Sequence, residues 1–558
     1  MKARANRLRR ILRLGALSIP LAFLLLFFFY PLAAVLARSI QLRGLPALPS
    51  LGYLGRLLWF TFWQAAVSTL LTLALGLPGA HVFARYRFPC KSLLEALTTI
   101  PFVLPTLIVA TAFLALIGPN GIVNTALGTV LRLSKPAINL QHTIWIVLLA
   151  HVFYNYSVVV RIVATFWASL DPSLEEAARA LGASRWQAWK EVTLPLLLPS
   201  IAAAALLTFL FCFTSFGVIM VLGGPRFATL EVEIYRQAMQ QLNLSRAALL
   251  SVIQLFITFV VMHAYTRLQR QIARPLDYRT QQTTQRRPVT RWSRLWVSGN
   301  VLLMVGLLTL PLLALLWRSF TLGGSLTLRY YRALFQDPGR SVFYTAPPEA
   351  IRNSLLFASV AVMFSLLLGI LAAYLLAGRT DRTGRLLRWL DPILVLPLGA
   401  SAVTLGFGYI VSFGHSPLNW VASPALVPVA HTLIAFPFVL RSVLPALRGI
   451  RPTLREAATV LGSPASRTWR SIDLPLLAPS IAVGAVFAFT ISIGEFGATL
   501  LIARSEYATI PVVLYRYLAQ PGLSNIGQAL AMSTILMAIC AIAFVAMARL
   551  RVGEVGGF

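Results

Sequence analysis

Twelve apolar runs, each long enough to cross the hydrocarbon of a bilayer, limit this chain to one kind of solvent. They fall at about 16–37, 57–84, 93–117, 142–168, 197–222 and 246–266, then at 295–318, 351–378, 388–413, 424–446, 477–503 and 525–549. A membrane-crossing helix needs about 20 predominantly apolar residues, and in lipid every backbone N–H and C=O must be satisfied within the protein. The runs therefore predict an all-α polytopic membrane protein with about twelve transmembrane helices. Only 12% of the 558 residues are charged and 58% are hydrophobic. A soluble domain carries roughly 25% charged residues, and no single soluble core grows to this length.

Charge orients the runs. The formal net charge is +31, which in a soluble chain would suggest nucleic acid. Here the basic residues sit in short loops between apolar runs, the positive-inside pattern of membrane proteins. Arg4, Arg7 and Arg13 precede the first run, Arg85, Arg87 and Lys91 follow the second, and Arg267, Arg286 and Arg294 follow the sixth. Arg379 and Arg382 follow the eighth, and Arg549 and Arg551 the twelfth. Each loop comes after an even number of crossings, so all lie on one face, the cytoplasmic one, with both termini. The basic stretch Met1 to Arg13 leads into a run too long for a cleaved signal peptide and reads as the start of an uncleaved span. Cys90, Cys212 and Cys540 are scattered with no metal-ligand or disulfide spacing.

The chain repeats itself. His151 to Arg161 aligns with His431 to Arg441 at an offset of 280, which holds through Pro172/Pro452, Gly182/Gly462, Pro195/Pro475, Phe216/Phe496 and Tyr235/Tyr515. Upstream the offset grows to about 292 (Pro105 with Pro397), so an outer loop near 118–140 is shorter in the second copy. Six spans separate the copies, an even number, which predicts parallel repeats about an axis along the membrane normal. The organisation expected is a basic cytoplasmic N-terminus (1–14), a first six-helix half (15–268), a linker (269–294), a second half (295–550) and a cytoplasmic tail (551–558).

The most repeated segment lies between spans, in the cytoplasmic loop after the fourth of each half. It reads Asp171-Pro-Ser-Leu-Glu-Glu-Ala-Ala-Arg-Ala-Leu-Gly182, continuing to Val192-Thr-Leu-Pro195, and Arg451-Pro-Thr-Leu-Arg-Glu-Ala-Ala-Thr-Val-Leu-Gly462, continuing to Ile472-Asp-Leu-Pro475. Ser173 with Glu176, and Thr453 with Glu456, have capping-box spacing. Ala177, Ala178, Ala457 and Ala458 favour helix and leave a low surface. Gly182 and Gly462 suit the left-handed residue that ends a helix. Leu194-Pro195 and Leu474-Pro475 open the next span. Each segment is thus expected to form a short, sharply stopped helix, a knob on the cytoplasmic face.

These segments resemble the Glu-Ala-Ala loop of binding-protein-dependent ABC importer permeases: Glu-Ala-Ala, three residues, Gly, nine residues, Ile-x-Leu-Pro. The second copy matches throughout; the first has Val192 for the isoleucine. The resemblance implies a type I importer permease fold and coupling helices docked on two copies of an ABC ATPase subunit. It also implies a periplasmic or extracytoplasmic solute-binding protein and residence in a bacterial inner membrane. The chain has no Gly-x-x-x-x-Gly-Lys-Ser/Thr phosphate loop, so no enzymatic activity or bound cofactor is expected of it; ATP and Mg belong to the partner ATPase. Two tandem halves are similar to the fused permeases for thiamine and for ferric iron. Phe62-Trp-Gln-Ala, Leu149-Ala-His-Val-Phe153 and Leu222-Gly-Gly-Pro225 look more like the thiamine branch.

Glu495 is a carboxylate inside an apolar run, a functional candidate by default. On the translocation path it would favour a cation; alternatively it hydrogen-bonds backbone at a helix break beside Gly494 and Gly497. Ser215 holds the matching position in the first half. Phe216 and Phe496 could form an aromatic gate or pack in the core. His151 and His431 are expected to hydrogen-bond within their own halves rather than ligate metal. The rival architecture is a twelve-span secondary transporter of the major facilitator family, which Gly378-Arg-Thr-Asp-Arg-Thr-Gly-Arg385 resembles in part. That reading leaves the duplicated Glu-Ala-Ala loops without a purpose. An integral-membrane enzyme would need clustered acids, bases or metal ligands, and none is apparent.

Overall fold

The computed structural model describes residues 18–40, 50–132, 136–224, 226–272, 285–336, 345–377, 384–414 and 420–551. The basic N-terminus 1–14, residues 273–284 of the linker and residues 552–558 of the tail lie outside the described residues. So do Gly378 to Thr383, which carry most of the loop likened to the major facilitator family.

Among the described residues, eleven helices are long and apolar enough to cross a membrane, from Ser18–Ile40 to Leu523–Met547. The helices Leu390–Gly399 and Ala402–Phe413 meet at 98°, as in a broken span or a re-entrant loop, and bring the number to twelve when the pair is counted as one span. Two proline-led breaks depart from the simple runs. The third run is divided into Lys91–Leu97, Ile100–Val103 and Thr106–Ile117, with Pro105 opening the last piece. The aligned Pro397 lies in the bend of the ninth. Proline lacks the N–H that would continue a helix, and the residue before it is pushed toward extended backbone.

The fifth spans also stop early. Arg185–Phe213 and Ala465–Gly494 are continuous, but the backbone then breaks, and short helical segments resume at Gly497–Ile502 and, in the first half, at 217–223, which ends in the π turn Ile219–Gly223. Near the other end each fifth span widens into one π turn, Trp189–Thr193 and Trp469–Asp473. The turn ends where Leu194-Pro195 or Leu474-Pro475 begins, the N–H of Leu194 or Leu474 reaching back five residues to the carbonyl of Trp189 or Trp469.

The chain packs as two units. One comprises Leu48–Glu233 and Ile253–Thr327. Its centre is Leu51–Arg85 against Ile144–Ser169, closed by Arg185–Phe213. Backbones meet where side chains are small: a Cβ on Gly76 would stand 2.8 Å from Val159. Arg291–Ser319 packs on Thr106–Ile117, and a two-residue hairpin turned by Gly323 and Gly324, both at positive φ, follows it.

The other unit comprises Met1–Ala47, Ile234–Val252 and Leu328–Phe558. It repeats the same contact: Pro347–Ala377 lies on Leu426–Gly449, and a Cβ on Gly369 would stand 2.7 Å from Val439. Its first span sits on Ala402–Phe413, with Pro31 against Gly408 and the Tyr30 hydroxyl donating to the Ser412 carbonyl at 3.4 Å. The sequence repeat and the packing units therefore differ in the first span, the seventh span and the segment Ile234–Val252. The first span packs with second-half helices, and the seventh packs with first-half helices.

Candidate functional site: two matched knobs and two broken fifth spans

The knobs are the helices Ser173–Ala180 and Pro452–Val460. The capping boxes expected from Ser173/Glu176 and Thr453/Glu456 do not form, because proline starts each helix earlier. Pro172 already has helical φ and ψ at the N-cap, and Pro452 occupies the first turn. Ser173 and Thr453 thus lie inside the helix, beyond the N-cap position. In the first knob the Asp171 carboxylate accepts from the Ser173 N–H at 3.0 Å instead. A capping box does form one helix later, where Ser184 and Gln187 exchange bonds at 3.2 and 2.9 Å.

The C-terminal stops form as the glycines predict. Gly182 has φ +97° and Gly462 +76°. The N–H groups of Gly182 and Ala183 donate to Arg179 and Ala178, and those of Gly462 and Ser463 to Thr459 and Ala458, at 2.9–3.1 Å. Both copies are Schellman motifs. Space is not the reason for glycine, since nothing lies within 4 Å of a Cβ at either position; the left-handed backbone is.

The knob surfaces are apolar where core packing would hide them. Leu181 and Leu461 are 90% and 85% exposed, and Leu174 and Leu454 are exposed beside them. Glu176, Glu456, Ala177, Ala457, Gly182 and Gly462 are also exposed, Ala178 and Ala458 half-buried. At the base, Leu194 and Leu474 are half-buried, and Pro195 and Pro475 exposed. A rigid, low, leucine-tipped surface presented twice is what a partner's groove can read.

A feature missed by sequence reasoning ties each knob inward. The Thr193 hydroxyl donates to Glu175 at 3.2 Å; at the aligned positions Arg455 Nε donates to Asp473 at 2.8 Å. The only hint in sequence was that both members of the pair sit at the same offset of 280. Around the first knob, Arg85 donates to the Leu170 carbonyl at 3.3 Å. Lys91 Nζ caps the carbonyls of Phe83 and Tyr86 at the end of the same span, at 2.6 and 3.3 Å. Burial and the neighbouring Arg87 hold the Lys91 ammonium below its usual range, against the opposing pull of Glu95.

At the fifth-span breaks the two histidines do what was expected of them. His151, buried, shares hydrogen bonds with Ser68 and Ser215, both at 2.9 Å. His431 bonds Ser492 at 2.7 Å and Thr499 at 2.8 Å, and lies 3.4 Å from the Glu495 carboxylate. Each histidine therefore fastens the fourth span to the break in the fifth. Glu495 is buried at 7% exposure, and its two oxygens accept from the backbone N–H groups of Ala498 and Thr499 at 2.8 and 2.9 Å and from the Thr499 hydroxyl. It caps the helix that resumes after the break. Ser215 is half-buried, while Phe216 and Phe496 are buried, Phe496 with its ring 5.4 Å from Tyr515.

Two acids escaped the sequence reading. Glu231 and Glu233, after the break in the first half, are 1% and 3% exposed, and Gln254 donates to Glu231 at 2.5 Å. Their signal was two carboxylates within an apolar segment, which are expensive there. Among the described residues no group of three or more His, Cys, Asp or Glu is arranged to hold a metal ion.

Duplicated bundles of membrane-crossing helices, each carrying a matched knob outside the bilayer and a broken helix within, define the membrane subunit of a solute transporter. The chain belongs to the family of binding-protein-dependent transport system inner membrane components, whose model matches residues 73–274 and again 337–552. It is 27% identical over 497 residues to the thiamine transport system permease protein ThiP of Brucella abortus, covering 87% of each chain. ThiP of Escherichia coli is 26% identical over 505 residues, 89% of each chain. The molybdenum transport system permease protein ModB of Escherichia coli is 36% identical over 188 residues, 31% of this chain and 81% of ModB. The two family matches identify the fold as a fused type I importer permease, and nothing in them supports a major facilitator.

Proposed function

We propose that this chain forms the translocation pathway for thiamine in an ATP-driven importer. The observation that carries the solute is the extent of the match to the thiamine permeases: it runs through both halves, whereas ModB matches about one half's length. Glu176, Gly182, Glu456, Gly462 and the exposed leucines beside them dock on two ABC ATPase subunits, which bind the ATP and Mg. A solute-binding protein delivers thiamine to the opposite face. Closure of the two ATPases drives the permease between inward-open and outward-open states, with both termini cytoplasmic. The breaks at Ser215–Phe216 and Glu495–Phe496 line or frame the path.

The test is ATP hydrolysis by the chain reconstituted with its ATPase and binding protein in liposomes, offered thiamine, ferric iron or molybdate in turn. Stimulation by thiamine alone is expected. Stimulation by ferric iron or molybdate instead would overturn the solute while keeping the importer.

A further inference from the structure

Each knob is attached to its fifth span twice: once through the backbone turn after the knob, and once through a side-chain bridge between residues eighteen apart. The turn hinges on a glycine at positive φ with open space around it. A turn of that kind can bend without disturbing packing. The bridge is what prevents it.

The inner end of each bridge is the last residue of the π turn, Thr193 or Asp473, 4% and 6% exposed. The outer end, Glu175 or Arg455, precedes Glu176 or Glu456 in the knob. The chemistry differs between copies. The first bridge joins a neutral hydroxyl to a carboxylate, and Arg85 of the second span lies within electrostatic reach of that carboxylate. The second is an ion pair, its guanidinium 38% and its carboxylate 8% exposed, beside Tyr374 and Trp469. A pair so placed on the carboxylate side is screened less than a surface pair.

We propose that Arg455 and Asp473 are positioning residues for coupling. The pair locks the second knob to the foot of Leu474–Gly494, so that a displacement imposed on the knob reaches the fifth span instead of being absorbed at Gly462. The inference rests on the coupling reading of the knobs. Neither residue touches solute, and neither lies on the exposed leucine surface.

The test is charge exchange in the full complex in liposomes, reading thiamine transported per ATP hydrolysed, with capture of the ATPase by the chain measured alongside. Arg455→Asp alone and Asp473→Arg alone are each expected to raise the ATP spent per solute about tenfold, within the range of coupling between contacting charges. ATPase capture should stay as in the parent. The double exchange Arg455→Asp with Asp473→Arg is expected to return the ratio to within about twofold, a rescue that a general packing role does not give. Should the single reversals fail to insert, Asp473→Asn and Arg455→Lys serve, the first uncoupled and the second coupled. Parent-like ratios in the single variants, a double variant as uncoupled as the singles, or loss of ATPase capture in Asp473→Asn would each overturn the proposal. If the parent chain itself captures no ATPase, the coupling reading fails, and that failure is distinct from the others.

Discussion

Replacing Glu495 by glutamine separates the two roles open to an acid within a span. The carboxylate receives two backbone N–H groups at 2.8 and 2.9 Å and the Thr499 hydroxyl. Glutamine keeps one carbonyl oxygen, so it can serve the Ala498 N–H; its amide nitrogen then faces the Thr499 N–H, donor to donor. The threonine hydroxyl can rotate to accept, but the backbone N–H cannot. One buried donor is left unmet, at a cost of about 1–3 kcal/mol. The bond that survives is no longer charge-assisted, a loss of about 1 kcal/mol. Relief from burying a charge offsets part of this, leaving a net destabilisation of about 2 kcal/mol.

The assay is reversible unfolding of the purified chain in mixed detergent micelles, with thiamine uptake measured in parallel over a range of solute concentrations. The expected result is lower stability, lower uptake at every concentration, and an unchanged half-saturating concentration. Parent-like stability with a raised half-saturating concentration would refute the reasoning. It would mean the carboxylate is turned to the solute and its backbone bonds are dispensable.

Gly462→Ala should cost the knob about 1–2 kcal/mol, since alanine must adopt φ +76°; ATPase affinity measured by capture should fall about tenfold, and Gly462→Asn less, with global stability unchanged. Leu181→Ser with Leu461→Ser should leave unfolding unaltered, because both side chains are almost wholly exposed, yet weaken ATPase capture about tenfold or more. Gly369→Ala should destabilise the chain by about 1–3 kcal/mol by forcing Val439 away, and detergent unfolding should show the same for Gly76→Ala against Val159. His431→Ala, removing bonds to Ser492 and Thr499, should lower stability by about 1–3 kcal/mol with no metal dependence of transport.

The elements legible in sequence are those governed by composition or by a single residue's backbone. Run lengths gave the spans, and Gly182 and Gly462 gave the knob stops, because a left-handed residue is a local requirement. The capping boxes failed for an equally local reason: Pro172 and Pro452 start their helices before Ser173 and Thr453 can cap them. The break beside Gly494 was legible as one of two roles open to Glu495, because glycines flank that acid; its counterpart after Phe213 was not, because no such acid marks it, and it is the bond of Ser215 to His151 of another helix that supports it. The exchange of the first and seventh spans between packing units is long-range, and hydropathy carries no such information. The bridges at 175/193 and 455/473 were hidden for a third reason. They pair residues whose donor and acceptor roles are exchanged between copies, so a search for identity passes over them.

The likeness between the two halves extends beyond what packing accounts for. In a core, buried residues constrain one another and exposed ones drift. Between these two halves, Leu174 and Leu454, Leu181 and Leu461, and Glu176 and Glu456 are identical and exposed, as alike as the buried pairs His151/His431 and Phe216/Phe496, while polar partners at the breaks and bridges differ: Ser215 against Glu495, Thr193 against Asp473, Cys212 against Ser492. Buried positions can differ because each half satisfies its own polar groups, His151 with serines and His431 with a serine, a threonine and a carboxylate. Exposed apolar positions cannot be held alike by anything inside the chain. A surface outside it that meets both halves in the same way would hold them, as the two ATPase copies of the proposed function would. Among the contacts described, asymmetry falls at the fifth-span breaks and at the anchoring of each knob, and a chain with both halves fused can fix each difference on one side only.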